Sequence, residues 1–484
     1  MSFTAAAAVV PVLLPLLVAP LMLLLGQRSR AALLIITVIG IGWALLILNG
    51  QVLELGPQRY AVGGWGAPLG IDLYADGLAM LMLWLTWGVG SLVSGYALVY
   101  FAHGEAKAER FWPIWLLLWM SLNALFLAAD IFNLYVTLEL LTLAAVPLAA
   151  LTGETEALRA SMRYLLFALL GSFCYMLGVA LLYGGFGTLD IMQLGWLVTP
   201  GPLAWVALAL ITLGLLIKAA IFPFHVWLPP AHANAPTPVS ALLSALVVKG
   251  ALYLLVRIWF QVFPNAGTLV AGQLLGLLGA MAILYGSWQA LRQVRLKLLV
   301  AYSTVAQLGY FLLVFPLANA TGWGGAILQL LSHGFAKAAL FLAAGNVLHA
   351  LGHDRIAQLH GVGMQLPITV FTFALAGIGI MSMPPSGGFL AKWLLLRAAL
   401  ESGQWWWAIV LLCGGLLAAT YVFRVLGYAL LAPAEQQLPK VVKPALTLEL
   451  IPLLLALISV AIGFVGMPYL TLLDIGSPFS GQQP

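Results

Sequence analysis

Apolar residues run along this chain in blocks of about twenty, the length that crosses a bilayer, with short polar turns between them. The pattern predicts an all-α polytopic membrane protein of about fourteen transmembrane helices, with no room for a soluble domain. Helix 1 runs to about Leu25; it is too long for a signal-peptide core and has no basic leader, so it is expected to be retained. Helix 2 covers about Ala31 to Leu48, helix 3 about Gly77 to Phe101, helix 4 about Phe111 to Leu127, helix 5 about Ile131 to Leu151 and helix 6 about Tyr164 to Tyr183. Helix 7 begins near Leu203, and helix 8 covers about Val239 to Phe260, helix 9 about Leu269 to Ala290, helix 10 about Leu298 to Phe315 and helix 11 about Ala326 to His349. Helix 12 starts near Pro367, helix 13 covers about Trp405 to Leu430 and helix 14 about Leu446 to Leu470. The Gly-rich segment Gln51 to Asp76 reads as an extramembrane hairpin.

Two of these helices are interrupted. Helix 7 carries Lys218 and is expected to break at Pro223, which has no N–H for the carbonyl of Ala219. Helix 12 meets Met383-Pro384-Pro385-Ser386-Gly387-Gly388 before Lys392. Pro384 and Pro385 free the carbonyls of Ile380 and Met381, and Gly387 and Gly388 are expected to add backbone freedom. The breaks lie five positions apart in the helix order, which suggests two five-helix repeats, helices 4 to 8 and 9 to 13. An odd helix count inverts the second copy, the architecture in which transport sites sit near the membrane midplane. The chain then divides into N-terminal helices (1–110), first repeat (111–262), second repeat (263–432), and helix 14 with its tail (433–484).

Of the 484 residues, 63% are hydrophobic and 7% charged, against roughly 25% charged in a soluble domain. The net charge of +5 does not indicate nucleic acid, because Lys and Arg stand in loops beside spans. With the turn after helix 1 in the cytoplasm, Arg28, Arg30, Lys107, Arg110, Arg159, Arg163, Arg292, Arg295, Lys297, Arg355, Lys440 and Lys443 share that side. Arg59, with Arg257 and Arg397, falls on the other, so both termini are expected outside the cytoplasmic membrane. Cys174 and Cys413 lack the paired spacing of a zinc or iron–sulfur site, so no metal, cofactor or redox chemistry is expected of this chain.

Nearly all fifteen carboxylates fall in loops or at span ends. Glu139, inside IFNLYVTLELLTLAAVPLAA, does not. A mid-membrane charge is costly enough to favour an ion or proton site over a structural carboxylate bonded to Ser or Thr. Lys218, Lys249, Lys337 and Lys392 share its depth. A single such lysine is readily structural, but the set forms a polar axis across the bundle. Desolvation favours proton release from a buried lysine and a nearby carboxylate holds the proton, so moving Glu139 toward or away from Lys218 makes a switch.

Histidines are the other relay candidates. His333 stands one turn before Lys337 on the same helix face, with a packed neutral role as the alternative. His225 and His232 flank the helix 7 break and are placed to connect Lys218 to the cytoplasm. His349, His353 and His360 read as interface or loop residues and His103 as solvated. Ser240, Ser244, Ser303, Thr304 and Gln307 are candidates to hold waters, although hydroxyls in membrane helices commonly bond backbone.

DIFNLYVTLELLTLA around Glu139, GLLIKAAIFPFHVWLPPAHANAPTPVSALLSALVVKGALYLLVR around Lys218 and Lys249, LKLLVAYSTVAQLGY in helix 10, LSHGFAKAALFLAAG around Lys337 and MPPSGGFLAKW around Lys392 resemble one family. It is the antiporter-like subunits shared by Mrp-type cation/proton antiporters, respiratory complex I and membrane-bound hydrogenases. The resemblance implies inverted repeats, no cofactor, other membrane subunits as partners, and proton transfer along a hydrophilic axis. Glu139 and Lys218 would be the ion pair of the first half-channel, Lys249 the link, His333 and Lys337 the central positions, and Lys392 the terminal site. Lysine at this last position resembles that of the Mrp-type and several other branches, whereas the M-type complex I subunit usually carries glutamate. The short stretch after helix 14 leaves no room for a long lateral helix, so the expectation is a D-type Mrp subunit moving protons, with Na+ in this chain or in a partner. The rivals are a complex I-like or hydrogenase-like pump, an energy-coupled inorganic-carbon uptake complex, a non-conducting scaffold and a stand-alone solute carrier.

Overall fold

The computed structural model describes residues 3–68, 70–102, 106–431 and 441–479. His103 and Lys440 lie outside the described residues, as does the side chain of Lys107. Among the described residues, eleven helices are long and apolar enough to cross a membrane, and Pro202–Lys218, Pro367–Met381 and Leu446–Ala461 are shorter apolar helices. The chain is a multi-pass all-α membrane protein. Its one described sheet is the expected hairpin, where β1 (Gln58–Ala61) pairs antiparallel with β2 (Asp72–Ala75).

The helices sort into a core and a jacket. Thr237–Val262 and Ala320–Leu351 are buried along their apolar stretches, and Leu296–Leu317 nearly so. Around them stand helices such as Thr155–Phe186 and Trp405–Leu430, which keep most of their apolar surface outward, as lipid contact requires. Lys249, His333 and Lys337 ride on the fully buried helices. Glycines set the closest helix approaches. A Cβ on Gly171 would stand 2.8 Å from the Gly214 carbonyl oxygen, so Thr155–Phe186 and Pro202–Lys218 nearly touch backbone to backbone, as small residues permit.

Several expectations need correction. Helix 7 stops at Lys218, ahead of Pro223; Ala220 turns the chain with φ 54°, and the path continues as a tight turn (Phe224–Trp227) and a short helix (Leu228–Asn234). The second break likewise opens after Met381, where Ser382 has φ 65°. Gly387 and Gly388 start the next helix, Gly387–Glu401, behind the N-cap of Ser386, whose Oγ accepts from the Phe389 N–H at 3.2 Å. Their role is close packing rather than freedom, since a Cβ on Gly388 would collide with the Gly379 carbonyl. Helix 14 is not continuous. It runs as Leu446–Ala461 and Gly466–Asp474, and Gly463 between them lies against the Pro385 and Ser386 backbone, where a Cβ would not fit. Its far end closes the structure, with the Gly77 N–H donating to the Ile475 carbonyl at 2.9 Å. Lys297 is no loop cation, being buried with Nζ on the Ala235 carbonyl at 2.8 Å. Helix 6 is longer than expected, Thr155–Phe186, so Arg159 and Arg163 belong to its first turns.

Candidate functional site

Asp130 caps the Ile131–Ala149 helix by accepting from the Asn133 N–H at 2.7 Å, which sets Glu139 more than two turns inside. Lys218 arrives as the last residue of Pro202–Lys218 and donates to Glu139 Oε1 at 2.6 Å and to Thr142 Oγ1 at 3.2 Å. The Ser172 hydroxyl donates to the same carboxylate oxygen. Lys218 is sealed, with its side chain 4% exposed, while that of Glu139 keeps 21%. The helix end just past Lys218 is supported by Trp227, whose Nε1 donates to the Ile217 carbonyl at 3.0 Å and whose ring stacks on Tyr164 at 4.1 Å. The expected ion pair is present, with two hydroxyls around it.

The remaining lysines rest on oxygens without charge. Leu243–Val247 is a π-helical stretch, which loosens the usual carbonyl ladder. Lys249 Nζ takes the Ser244 carbonyl at 2.6 Å. The Ser244 and Thr304 hydroxyls are 2.9 Å apart, and Thr304 Oγ1 donates to the Val300 carbonyl at 3.1 Å. That carbonyl also accepts from Lys337 Nζ at 2.9 Å, and Lys337 donates to the Ser303 hydroxyl as well. Lys249 and Lys337 are thereby tied through one polar cluster. Lys392 Nζ lies 3.3 Å from the Ile380 carbonyl and 3.8 Å above the Tyr310 ring centre. The Ile380 carbonyl, which Pro384 deprives of its helical donor, is thus reused, and Gln307 Nε2 donates to it too, at 3.2 Å.

His333 Nε2 is buried without a hydrogen-bond partner, and Lys249, Lys337 and Lys392 are close enough to act on it. His232 departs from its expected place. Neither ring nitrogen has a partner, the ring stacks on Phe341 at 4.7 Å, and its charged neighbours are Lys337, Lys297 and Lys249, beside the central lysines rather than Lys218. His225 packs among Phe222, Tyr285 and Tyr302. Ser240 bonds the His232 carbonyl at 2.9 Å, a backbone role.

Sequence reasoning missed the charges at the hairpin end. Arg257 and Asp76 form a fully buried pair, Nη2 to Oδ1 at 2.5 Å, and Arg59 bridges Asp72 at 2.6 Å and Asp190. Burial lifts the nearby Asp130 carboxyl above the usual carboxylate range, and Asp190 adds to the effect. Beside them opens a cavity of about 650 Å³ walled in part by Arg59, Tyr74, Trp196, Arg257, Gln261 and Ser477. The sequence held one signal for this pair, an arginine standing within the apolar run ALYLLVRIWF, where an unpaired charge is costly.

A buried row of lysines, one with a carboxylate, is thus held on broken and glycine-packed helices of a polytopic membrane protein. The family model described as "NADH:quinone oxidoreductase/Mrp antiporter, TM" matches residues 128–418. The chain belongs to this family, as its motifs suggested. It is 36% identical over 85% of its length, and 82% of the relative's, to NADH-quinone oxidoreductase subunit N of Desulforudis audaxviator. It is 28% identical to the antiporter subunit mnhD2 of Staphylococcus aureus, over 94% of this chain and 92% of the relative. Its fold matches a chain of the Mrp complex from Dietzia sp. with TM-score 0.89 at 26% identity, covering 99% of both chains. It also matches a chain of an archaeal respiratory complex, the membrane-bound sulfane sulfur reductase, with TM-score 0.90 at 29% identity over 98% of each.

Proposed function

We propose that this chain is the proton-translocating, antiporter-like subunit of a multi-subunit prokaryotic membrane complex, of the Mrp-type cation (Na+)/proton antiporter kind. The observation that carries the reading is the Lys218–Glu139 pair, a cation and carboxylate 2.6 Å apart inside the bundle with the other buried lysines beyond it. In this reading Glu139 holds the proton on Lys218 while the pair is closed and releases it when drawn away. Protons then pass by Lys249, His333 and Lys337 to Lys392, which exchanges them with the far side. His225 and His232 are relay candidates, and Ser244 and Gln307 position groups along the path. The proposal includes fourteen spans in two inverted five-helix repeats, 111–262 and 263–432, and both termini outside.

A second reading, a proton-pumping subunit of a complex I-like oxidoreductase, is favoured by the 36% identity to a relative named as subunit N of such a complex. In either case this chain supplies proton transfer and other subunits the driving reaction. Glu139→Ala and Lys218→Ala, each inserted and assembled with its native partners, are expected to abolish ion-driven proton movement in vesicles; full activity in either would overturn the scheme. Purifying the complex separates the two readings, through small antiporter partners or iron–sulfur and NADH-binding ones.

A further inference from the structure

The helices Leu269–Arg292 and Trp405–Leu430 stand on the outward side of the bundle and run parallel. A Cβ on Gly276 would meet the Trp407 ring at 2.7 Å, one on Gly414 would collide with Ile283, and Arg424 Nη1 donates to the Leu291 carbonyl, so matching positions advance together toward one end. At about 1.5 Å per residue the 24 residues of Leu269–Arg292 span roughly 35 Å. That length carries the last turn out of a hydrocarbon core ~30 Å thick to the level of the lipid headgroups. Trp405 and Trp406 are exposed at the starting end and Trp288 near the other, where interfacial tryptophans belong.

Two guanidiniums meet at that far end. Arg292 is exposed and lies over the Trp288 ring, 4.6 Å from its centre, and half-buried Arg424 reaches the carbonyl of the residue before it. The Leu291 carbonyl is the only protein acceptor that Arg424 reaches among the described residues, although a guanidinium has five N–H groups to place. Arg159 and Arg397 pair with Glu156 and Glu401 on their own helices, whereas no described carboxylate lies within ion-pair distance of Arg292 or Arg424. The following turn adds cations. Asp354 is taken by Arg295 at 2.9 Å, and the Ile356 N–H donates to the Val294 carbonyl at 2.9 Å, which brings exposed Arg355 alongside. Toward the membrane interior the surface is apolar, with Leu277 and Leu284 exposed on one helix and Leu416 and Phe423 on the other. A Cβ on Gly427, one turn past Arg424, would meet nothing within 4 Å, so the surface is open there.

We propose that this end of the two helices binds an anionic phospholipid, with its phosphate held between Arg292 and Arg424 and its acyl chains laid along Leu277, Leu284, Leu416 and Phe423. Charge and position together select that occupant. A phosphodiester accepts the paired N–H donors that a guanidinium presents, and basic clusters at the ends of membrane helices attract anionic headgroups. A zwitterionic lipid would bring its own ammonium against these cations. Free phosphate would leave the adjoining apolar surface unused. Trp288 serves the same occupant, since its ring holds Arg292 at the depth where the phosphate lies. The site is independent of the proton relay.

The test reconstitutes the assembled complex with phosphatidylglycerol or phosphatidylcholine carrying a photoreactive group on an acyl chain, and maps the labelled peptides by mass spectrometry. Phosphatidylglycerol is expected to label residues 277–292 and 409–430 more strongly than phosphatidylcholine does. Arg292→Gln and Arg424→Gln should each lower that preference about fivefold, with labelling of the outward helix Thr155–Phe186 unchanged. Equal labelling by the two lipids would overturn the proposal, as would a preference that survives the double variant. Excess inorganic phosphate should not displace the label; displacement would mark a free-anion site and overturn the lipid assignment. A photoreactive side chain at Leu416 that couples to another subunit instead of lipid would identify a protein occupant, with the same consequence. If Arg424→Gln does not assemble, Arg292→Gln, which breaks no hydrogen bond among the described residues, must show the fivefold loss by itself. An unchanged preference in that variant counts against the proposal.

Discussion

Among the described residues, the buried lysines are of two kinds. Lys218 has a carboxylate against it, and Lys249, Lys297, Lys337 and Lys392 donate to backbone carbonyls. A carbonyl accepts from a neutral amine as well as from an ammonium, more strongly from the ammonium, so these contacts hold the side chain in either protonation state while a carboxylate would hold the proton more firmly. The Asp76–Arg257 pair is different in kind. Arg257 cannot release its proton, and its guanidinium also reaches the Tyr253 hydroxyl and lies over the Tyr74 ring. Asp76 in addition caps its helix through the Ala79 N–H at 2.9 Å. Asp76→Asn leaves a buried arginine unpaired, so thermal unfolding in detergent should show a loss of about 3–5 kcal/mol. Replacing both partners with apolar residues should recover much of that loss; equal losses in the single and double variants would contradict this account. At this scale the sequence disclosed Glu139, Lys218, Lys249, Lys337 and Lys392, because an ionisable residue stands out in an apolar run, but not buried Lys297, Asp76 and Arg257, which stand at or near span ends. It offered Glu139 as the partner of Lys218, whereas the carbonyl acceptors of the other lysines leave no mark on residue type.

The breaks teach the corresponding lesson about elements. Proline marked both of them, yet each helix ends before its proline, at a residue other than glycine with positive φ, Ala220 or Ser382. Such backbone conformations cost of order 1–3 kcal/mol and persist where the surroundings impose them. The glycines that looked flexible are contacts instead, and periodicity could not reveal this because the atoms they touch come from other helices. Gly388→Ala therefore should act on geometry. The added methyl pushes Gly387–Glu401 away from Pro367–Met381 and draws Lys392 off the Ile380 carbonyl, lowering transport at least about tenfold in an assembled complex. Transport at the wild-type rate in that variant would show that the close approach is dispensable.

For the whole molecule, the hydrophobic pattern carried the most information. The membrane class, the hairpin and, among the described residues, eleven membrane-length helices were legible, since bilayer thickness fixes helix length. The sorting of helices into core and jacket was not legible, because a helix buried in protein and one facing lipid are equally apolar. Orientation rests on the loop cations and predicts that reporters fused at either terminus are active only on the outer side of the cytoplasmic membrane. A cytoplasmic reporter signal from either end would reverse the assignment of faces.

The bond from Gly77 to Ile475 joins parts of the chain made at very different times. At ~5–20 residues per second, the roughly 400 residues between them take about 20–80 s to synthesise. Tyr96 likewise waits for Asn346, which in turn waits for the Leu448 carbonyl. For that interval the Tyr96 hydroxyl and the Gly77 N–H are without these partners, although Trp84, Trp87 and Ser94 of the same helix meet early-made residues. Biogenesis of this protein is therefore paced by its last helices, and whatever shields the third helix until they emerge determines how much of the nascent chain survives.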